Sequence, residues 1–242
     1  MNNTRQIKTF IGAMIVIGFS VAGYASAASH AWHAFFGFAV LALAATTSRM
    51  KVKLPVINGN MSVNLPFLLT AAVNLSAAEV VVITCASTAV QCWPRKNAKF
   101  NVQQMTFNLS MMAFASSAAS LVFHAVSQSA TLWHSTTLGL VLATVSLFLG
   151  QTAPVAGIVA VSEGKSAWHV WSSLAQLSFP YYVVGAGMTS MVQAMSLHLG
   201  WGLALAVFPV TYLIHRSYKM YFNAMAESLR PEALVRAAGA GA

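Results

Sequence analysis

RMKVKLPVINGNMSVNLPFLLTA, residues 49–71, places three cations within five residues, then a turn-rich polar patch, then an uncharged apolar run holding an asparagine and a proline. Three readings compete for it: a linker between two membrane spans, a phosphate-binding basic loop, or the entrance to a binding site. A phosphate loop needs a glycine nest, and Asn58-Gly59-Asn60 is by composition only a turn. Arg49, Lys51 and Lys53 fit better as an inner-leaflet anchor, where each clustered cation gains about 1 kcal/mol from anionic lipid. Met61 to Ala71 then reads as a short helix entering the membrane, with Ser62 as N-cap and Pro66 in its first turns. Within this stretch only Asn64 is left as a candidate for contact with a ligand.

The chain around this stretch is a membrane sequence. Of 242 residues, 57% are hydrophobic and 7% charged, with a mean hydropathy of +0.68. Soluble domains carry roughly 25% charged residues. Uncharged stretches at 9–48, 54–78, 100–162 and 166–215 each hold a length able to cross a bilayer, about 20 residues. The expected fold class is all-α: a polytopic transmembrane helical bundle.

The net charge of +9 does not form a basic stripe with interleaved aromatics, so nucleic acid is not an expected partner. The cations fall in clusters: Arg5 and Lys8; Arg49, Lys51 and Lys53; Arg95, Lys96 and Lys99; Lys165; Arg216, Lys219, Arg230 and Arg236. Each closes an apolar stretch, as cytoplasmic loops do. If all are cytoplasmic, each interval must cross the membrane an even number of times. Residues 10–48 give two spans turning near Ser29 to His33, and 62–93 a short hairpin turning at Asn74 to Ala77. Residues 101–161 give two spans turning around Ser127 to His134, and 168–215 two more turning near Ser196 to Gly200. The expectation is eight helical segments and six to eight spans, with both termini inside a bacterial cytoplasmic (inner) membrane. Residues 1–9 form an N-terminal tail, 10–220 one transmembrane domain and 221–242 a cytoplasmic tail. Ala25-Ser26-Ala27 resembles a secretory cleavage site, but the parity needs this segment as a span.

The chemistry available is narrow. There is no aspartate, and the four glutamates are Glu79, Glu163, Glu227 and Glu232, which removes a Ser-His-Asp triad and leaves little for paired-carboxylate work. Nucleotide-binding and metalloprotease motifs are missing as well. The expectation is a protein that is not an enzyme and carries no cofactor or metal. Glu79 sits in Ser76-Ala77-Ala78-Glu79, the pattern of a capping box, which is favoured over a functional intramembrane acid. His30 and His33 flank Trp32 as an outer-interface belt rather than a metal site. Cys85 and Cys92 share a helix face about 10 Å apart, too far for a mutual disulfide.

Amides inside spans must find partners within the bundle. Asn64, Asn108 and Gln151, with Tyr181 and Tyr182, are the candidate ligand-binding residues. Phe179-Pro180-Tyr181-Tyr182 reads as the opening of the seventh span, and Gly185-Ala186-Gly187 as a place of close helix approach.

KVKLPVINGNMSVNLPFLLTAAVNLSAAEVVVITCASTAVQCWPRKN, FNLSMMAFASSAASLVFH, VWSSLAQLSFPYYVVGAGMTSMV and PVTYLIHRSYKMYFNAM resemble the N-terminal integral-membrane sensor region, of MASE-like type, in bacterial HD-GYP and GGDEF signalling proteins. That resemblance spans roughly residues 10–225. It implies a membrane input domain associated with cyclic di-GMP signalling, whose last span leaves through a basic, aromatic helix, here His215 to Tyr221. Arg216, Lys219 and Tyr221 are accordingly the candidate output residues. No HD, GYP or GGDEF sequence follows, and Pro231 is expected to interrupt the connector. The implied function is a sensor or scaffold relaying ligand or membrane state to a separate cytoplasmic partner in trans, with the lipid bilayer and a small molecule as further partners. In outline the short polar-tipped helices are also similar to substrate-binding subunits of energy-coupling-factor vitamin transporters, the alternative reading.

Overall fold

Small side chains set the centre of the bundle. The computed structural model describes residues 2–27, 32–53, 60–94, 100–128, 136–199 and 207–239. Helix α5 (Val102–Ser127) buries Ser110, Ala113, Ala115, Ser116, Ser117, Ala119 and Ser120, so its neighbours approach its backbone closely. On one side lies α1 (Asn2–Ala27), where a Cβ on Gly18 would overlap the Ser110 carbonyl. On another lies α6 (Thr136–Glu163), where a Cβ on Gly150 would stand 2.8 Å from that of Ala115. Close packing of small residues is how membrane helices associate when the surrounding lipid is as apolar as they are.

Around this core run α2 (Ala34–Ser48), a two-strand ladder β1 (Lys51–Lys53) and β2 (Asn60–Ser62), α3 (Leu65–Asn74), α4 (Ala77–Cys92), α7 (Ala167–Leu199) and α8 (Val207–Gly239). The fold is an all-α helical bundle, with eight helices among the described residues. Three are long and apolar enough to cross a membrane: residues Thr4–Ala27, Val102–Ser127 and Thr136–Glu163. Helices α2 and α4 have 15 and 16 residues and α3 has 10. At 1.5 Å per residue they reach about 22–24 Å and about 15 Å, short of the roughly 30 Å hydrocarbon thickness.

The α3–α4 hairpin turns where the sequence places it. Ser76 and Glu79 form a complete capping box: the Ser76 hydroxyl accepts from the Glu79 N–H (3.4 Å), and Glu79 Oε2 accepts from the Ser76 N–H (3.0 Å). Glu79 is only 4% exposed, and its Oε1 also accepts the backbone N–H of His33 at 2.6 Å. The carboxylate therefore pins the start of α2 to the start of α4. Nδ1 of His33 stands 3.8 Å from Oε2, with the imidazole largely exposed.

Four expectations need correction. Ser62 is not the N-cap of α3: it lies in β2, paired with Lys51, and donates to the Ser48 carbonyl at 3.1 Å. That ladder holds 60–62 extended, so the helix starts at Leu65, with Pro66 in its first turn. Pro180 does not open a helix: α7 is continuous from Ala167 through it, with Pro180 on the exposed side and one amide bond lost. The same helix continues through 196–199, so the expected turn at Ser196 does not occur there. The backbone of α8 likewise runs past Pro231 to Gly239, and proline there removes one donor without ending the helix. Outside the described residues lie His30, His134, the Asn58-Gly59 part of the turn, and the cluster Arg95, Lys96 and Lys99.

Candidate functional site

Four of the five candidate ligand residues meet where α3, α6 and α7 come together. The Tyr182 hydroxyl donates to Gln151 Oε1 at 2.6 Å, and Trp171 Nε1 donates to Thr152 Oγ1 at 3.2 Å. Trp171 and Tyr182 lie about three turns apart on α7, roughly 16 Å, yet reach adjacent residues of α6. The two long side chains converge on one turn of α6, and Phe148 of α6 also meets Phe179 of α7 edge-on at 6.0 Å. Tyr181, next to Tyr182 on α7, reaches the start of α3.

The backbone accounting at that start is unusual. The Leu65 N–H donates to the Tyr181 hydroxyl at 3.2 Å, Pro66 has no N–H, and Phe67 and Leu68 both donate to the Asn64 carbonyl at 3.1 Å. A side-chain phenol thus does the work that an N-cap side chain usually does. With these amides taken, the helix start offers no nest for an anion. What it does offer is Asn64 itself, which makes no side-chain cap and is 5% exposed. Its Nδ2 has no hydrogen-bond partner among the described residues. A buried, unpaired donor costs about 1–3 kcal/mol, so it marks a position where an acceptor belongs.

Packing fixes the surroundings. A Cβ on Gly185 would stand 2.8 Å from Leu65 Cδ2, so glycine is what lets α7 reach α3. Gly187, read beside it as a second close-approach position, faces open space. One turn beyond Gly185, Thr189 donates to the Pro66 carbonyl at 3.2 Å. Phe148 packs edge-on against Tyr182, with ring centroids 5.0 Å apart. Amides, phenols and hydroxyls make up the cluster, so its chemistry is hydrogen bonding to an uncharged polar group.

Asn108 is not part of it. On α5 its Nδ2 donates to Cys92 Sγ of α4 at 3.3 Å, a tie between two helices. Cys85 and Cys92 are both free thiols. Among the described residues no three His, Cys, Asp or Glu side chains assemble as metal ligands.

The candidate output residues lie on a helix attached by one stripe. Helix α8 buries Thr211 and Phe222 and half-buries Ile214, His215 and Tyr218, while Arg216, Lys219 and Tyr221 are exposed. Tyr218 links this stripe to the polar cluster, its ring meeting that of Tyr181 edge-on at 5.9 Å. The three output candidates do not share a face: at 100° per residue Tyr221 is turned about 140° from Arg216 and about 160° from Lys219. Sequence reasoning passed over Tyr218 and Thr189. The heptad-like spacing of Thr211, Tyr218 and Phe222 is the signal that could have found the former.

No family model, curated protein or solved structure matches this chain.

Proposed function

We propose that this chain is a non-enzymatic sensor or scaffold module of the bacterial cytoplasmic membrane, multi-pass with both termini inside, that relays ligand or membrane state to a separate cytoplasmic partner. The observation that carries the reading is Tyr181. Its hydroxyl takes the first amide of α3, beside the unpaired Asn64 amide, and its ring leans on Tyr218 of the exit helix. A ligand acceptor satisfying Asn64 shifts the Tyr181 contact, and α8, held by one stripe, moves with it. Such a relay requires the ligand to bind two arrangements of the bundle with different affinity. The resemblance to MASE-like input domains makes cyclic di-GMP enzymes the first class of partner to test.

The test measures cellular cyclic di-GMP on expression of the wild type, of Tyr218→Ala and of Arg216→Glu with Lys219→Glu. Loss of a wild-type effect in both variants, with folding retained, supports the relay. An unchanged nucleotide level with all three, together with an α8 whose spin-label distances to α3 never vary, removes it. Asn64 also suits the alternative, a substrate-binding subunit of a vitamin-type transporter. Saturable uptake, or a vitamin-like molecule retained through gentle purification and seen by mass spectrometry, would favour that reading instead.

A further inference from the structure

Helices α7 and α8 do not pack backbone to backbone. Aromatic rings span the space between them and leave a groove of about 360 Å³ lined by Gln176, Leu177, Pro180, Ser217, Tyr218 and Tyr221, with buried Phe222 at its edge. That volume falls within the roughly 300–1,000 Å³ range of small-molecule sites. Gln176, Pro180, Ser217 and Tyr221 are all exposed, so the groove opens outward. The flanking surface is apolar: Phe179 and Val183 on α7 and Leu213 on α8 are each more than half exposed. The groove therefore opens onto an apolar surface.

Two features define what fits. Pro180 lacks the amide hydrogen that the Gln176 carbonyl would otherwise receive in the helix, so an acceptor is left over at the wall. None of the lining residues carries a charge, and the nearest cations of α8, Arg216 and Lys219, lie on the side of the helix turned away from Ser217 and Tyr221. A phosphate or carboxylate headgroup would find no counter-charge here. We infer that the α7–α8 groove is a binding site for an uncharged, planar, lipid-soluble molecule bearing a hydrogen-bond donor. Its rings lie against Tyr218 and Tyr221, and its donor meets the Gln176 carbonyl. Tyr218 forms the common wall between this groove and Tyr181, so occupancy is felt at the α3 start. Binding stands on the groove alone, whereas its effect on output rests on the relay proposed above.

The full chain in lipid nanodiscs is photolabelled with an uncharged phenyl diazirine and the labelled residues are read by mass spectrometry. Phenylnaphthylamine, neutral with one N–H, and anilinonaphthalene sulfonate, the same rings with a fixed negative charge, are the competitors. The expected result is saturable labelling on the Leu177 and Tyr221 peptides, displaced by the neutral amine and at least about tenfold less well by the sulfonate. Ser217→Phe, which fills the groove, lowers labelling there by about tenfold, while Phe38→Ala on the exposed surface of α2 leaves it unchanged. Labelling that does not saturate, that spreads evenly over exposed positions such as Phe38 and Val141, or that the sulfonate displaces equally well, overturns the inference. Should Ser217→Phe fail to fold, the competition on the wild type still decides. Saturable labelling with an α8 that never moves keeps the site and removes the relay.

Discussion

The phenol of Tyr182 donates to Gln151 Oε1 across 2.6 Å, tying α7 to α6. Phe148 of α6 packs on both Phe179 and Tyr182 of α7, and the bond adds a polar tie to this contact, next to Tyr181. Tyr182→Phe keeps the ring against Phe148 and removes only the donor, so it is expected to cost about 0.5–1.5 kcal/mol. Tyr182→Ala also leaves a cavity and is expected to cost about 3–5 kcal/mol. Unfolding in mixed detergent by titration with a denaturing detergent measures both, and equal losses in the two variants would show that the hydrogen bond, not the ring, holds α7 on α6 here.

Glu79 serves two helices at once, capping α4 through Ser76 and holding α2 through the His33 amide. Ser76→Ala is expected to cost about 1 kcal/mol, as cap removals do. Glu79→Gln turns one oxygen into a donor facing other donors and is expected to cost about 1–3 kcal/mol. Since the two residues form one network, the double variant should cost less than the sum of the singles. Strict additivity in a double-mutant cycle would mean that the box contributes nothing as a unit.

The α1–α5 interface gives a test with an internal control. A methyl on Gly18 meets the Ser110 carbonyl, whereas one on Gly23 meets nothing within 4 Å. Gly18→Ala should therefore destabilise by about 1–3 kcal/mol through overpacking. Gly23→Ala should be neutral or stabilise by up to about 1 kcal/mol, because alanine costs less helix entropy than glycine. Thermal unfolding of the two variants side by side checks the register of α1 on α5, and a Gly23→Ala variant that loses more would mean that α1 is rotated.

Local signals were readable and non-local ones were not. The S-x-x-E box and the turn at Asn74 to Ala77 depend on residues within one turn of each other, and both stand where the sequence puts them. Ser62 was misread because its partner is the Ser48 carbonyl, 14 positions away and across a turn. Pro180 does not mark a helix start because its local effect is the loss of one amide bond, and α7 runs on through it with Tyr181 and Tyr182 tied to α3 and α6. Asn64, Gln151, Tyr181 and Tyr182 were chosen as residue types that an apolar bundle must accommodate. Their meeting could not be read, since the bonds that bring them together, Tyr182 to Gln151 and the Leu65 amide to Tyr181, span 31 and 116 positions. Asn108 satisfied the same rule by a different route, bonding a cysteine sulfur on the neighbouring helix.

Asn64 and Tyr181 separate ligand binding from stability. Tyr181→Phe leaves the Leu65 amide buried without an acceptor, so it is expected to destabilise by about 1–3 kcal/mol. Asn64→Leu removes a donor that already lacks a partner in the described structure and replaces it with a group of similar volume. It should therefore be neutral or slightly stabilising in the ligand-free protein. If Asn64 receives a ligand acceptor, the same substitution should abolish the stabilisation that ligand gives, which for a ligand at a hundredfold excess over its Kd is about 2.7 kcal/mol. The two measurements, unfolding without and with a membrane extract as the ligand source, therefore move in opposite senses for a binding residue. A loss of more than about 1 kcal/mol in the ligand-free protein would instead make Asn64 a structural amide whose partner lies within the bundle.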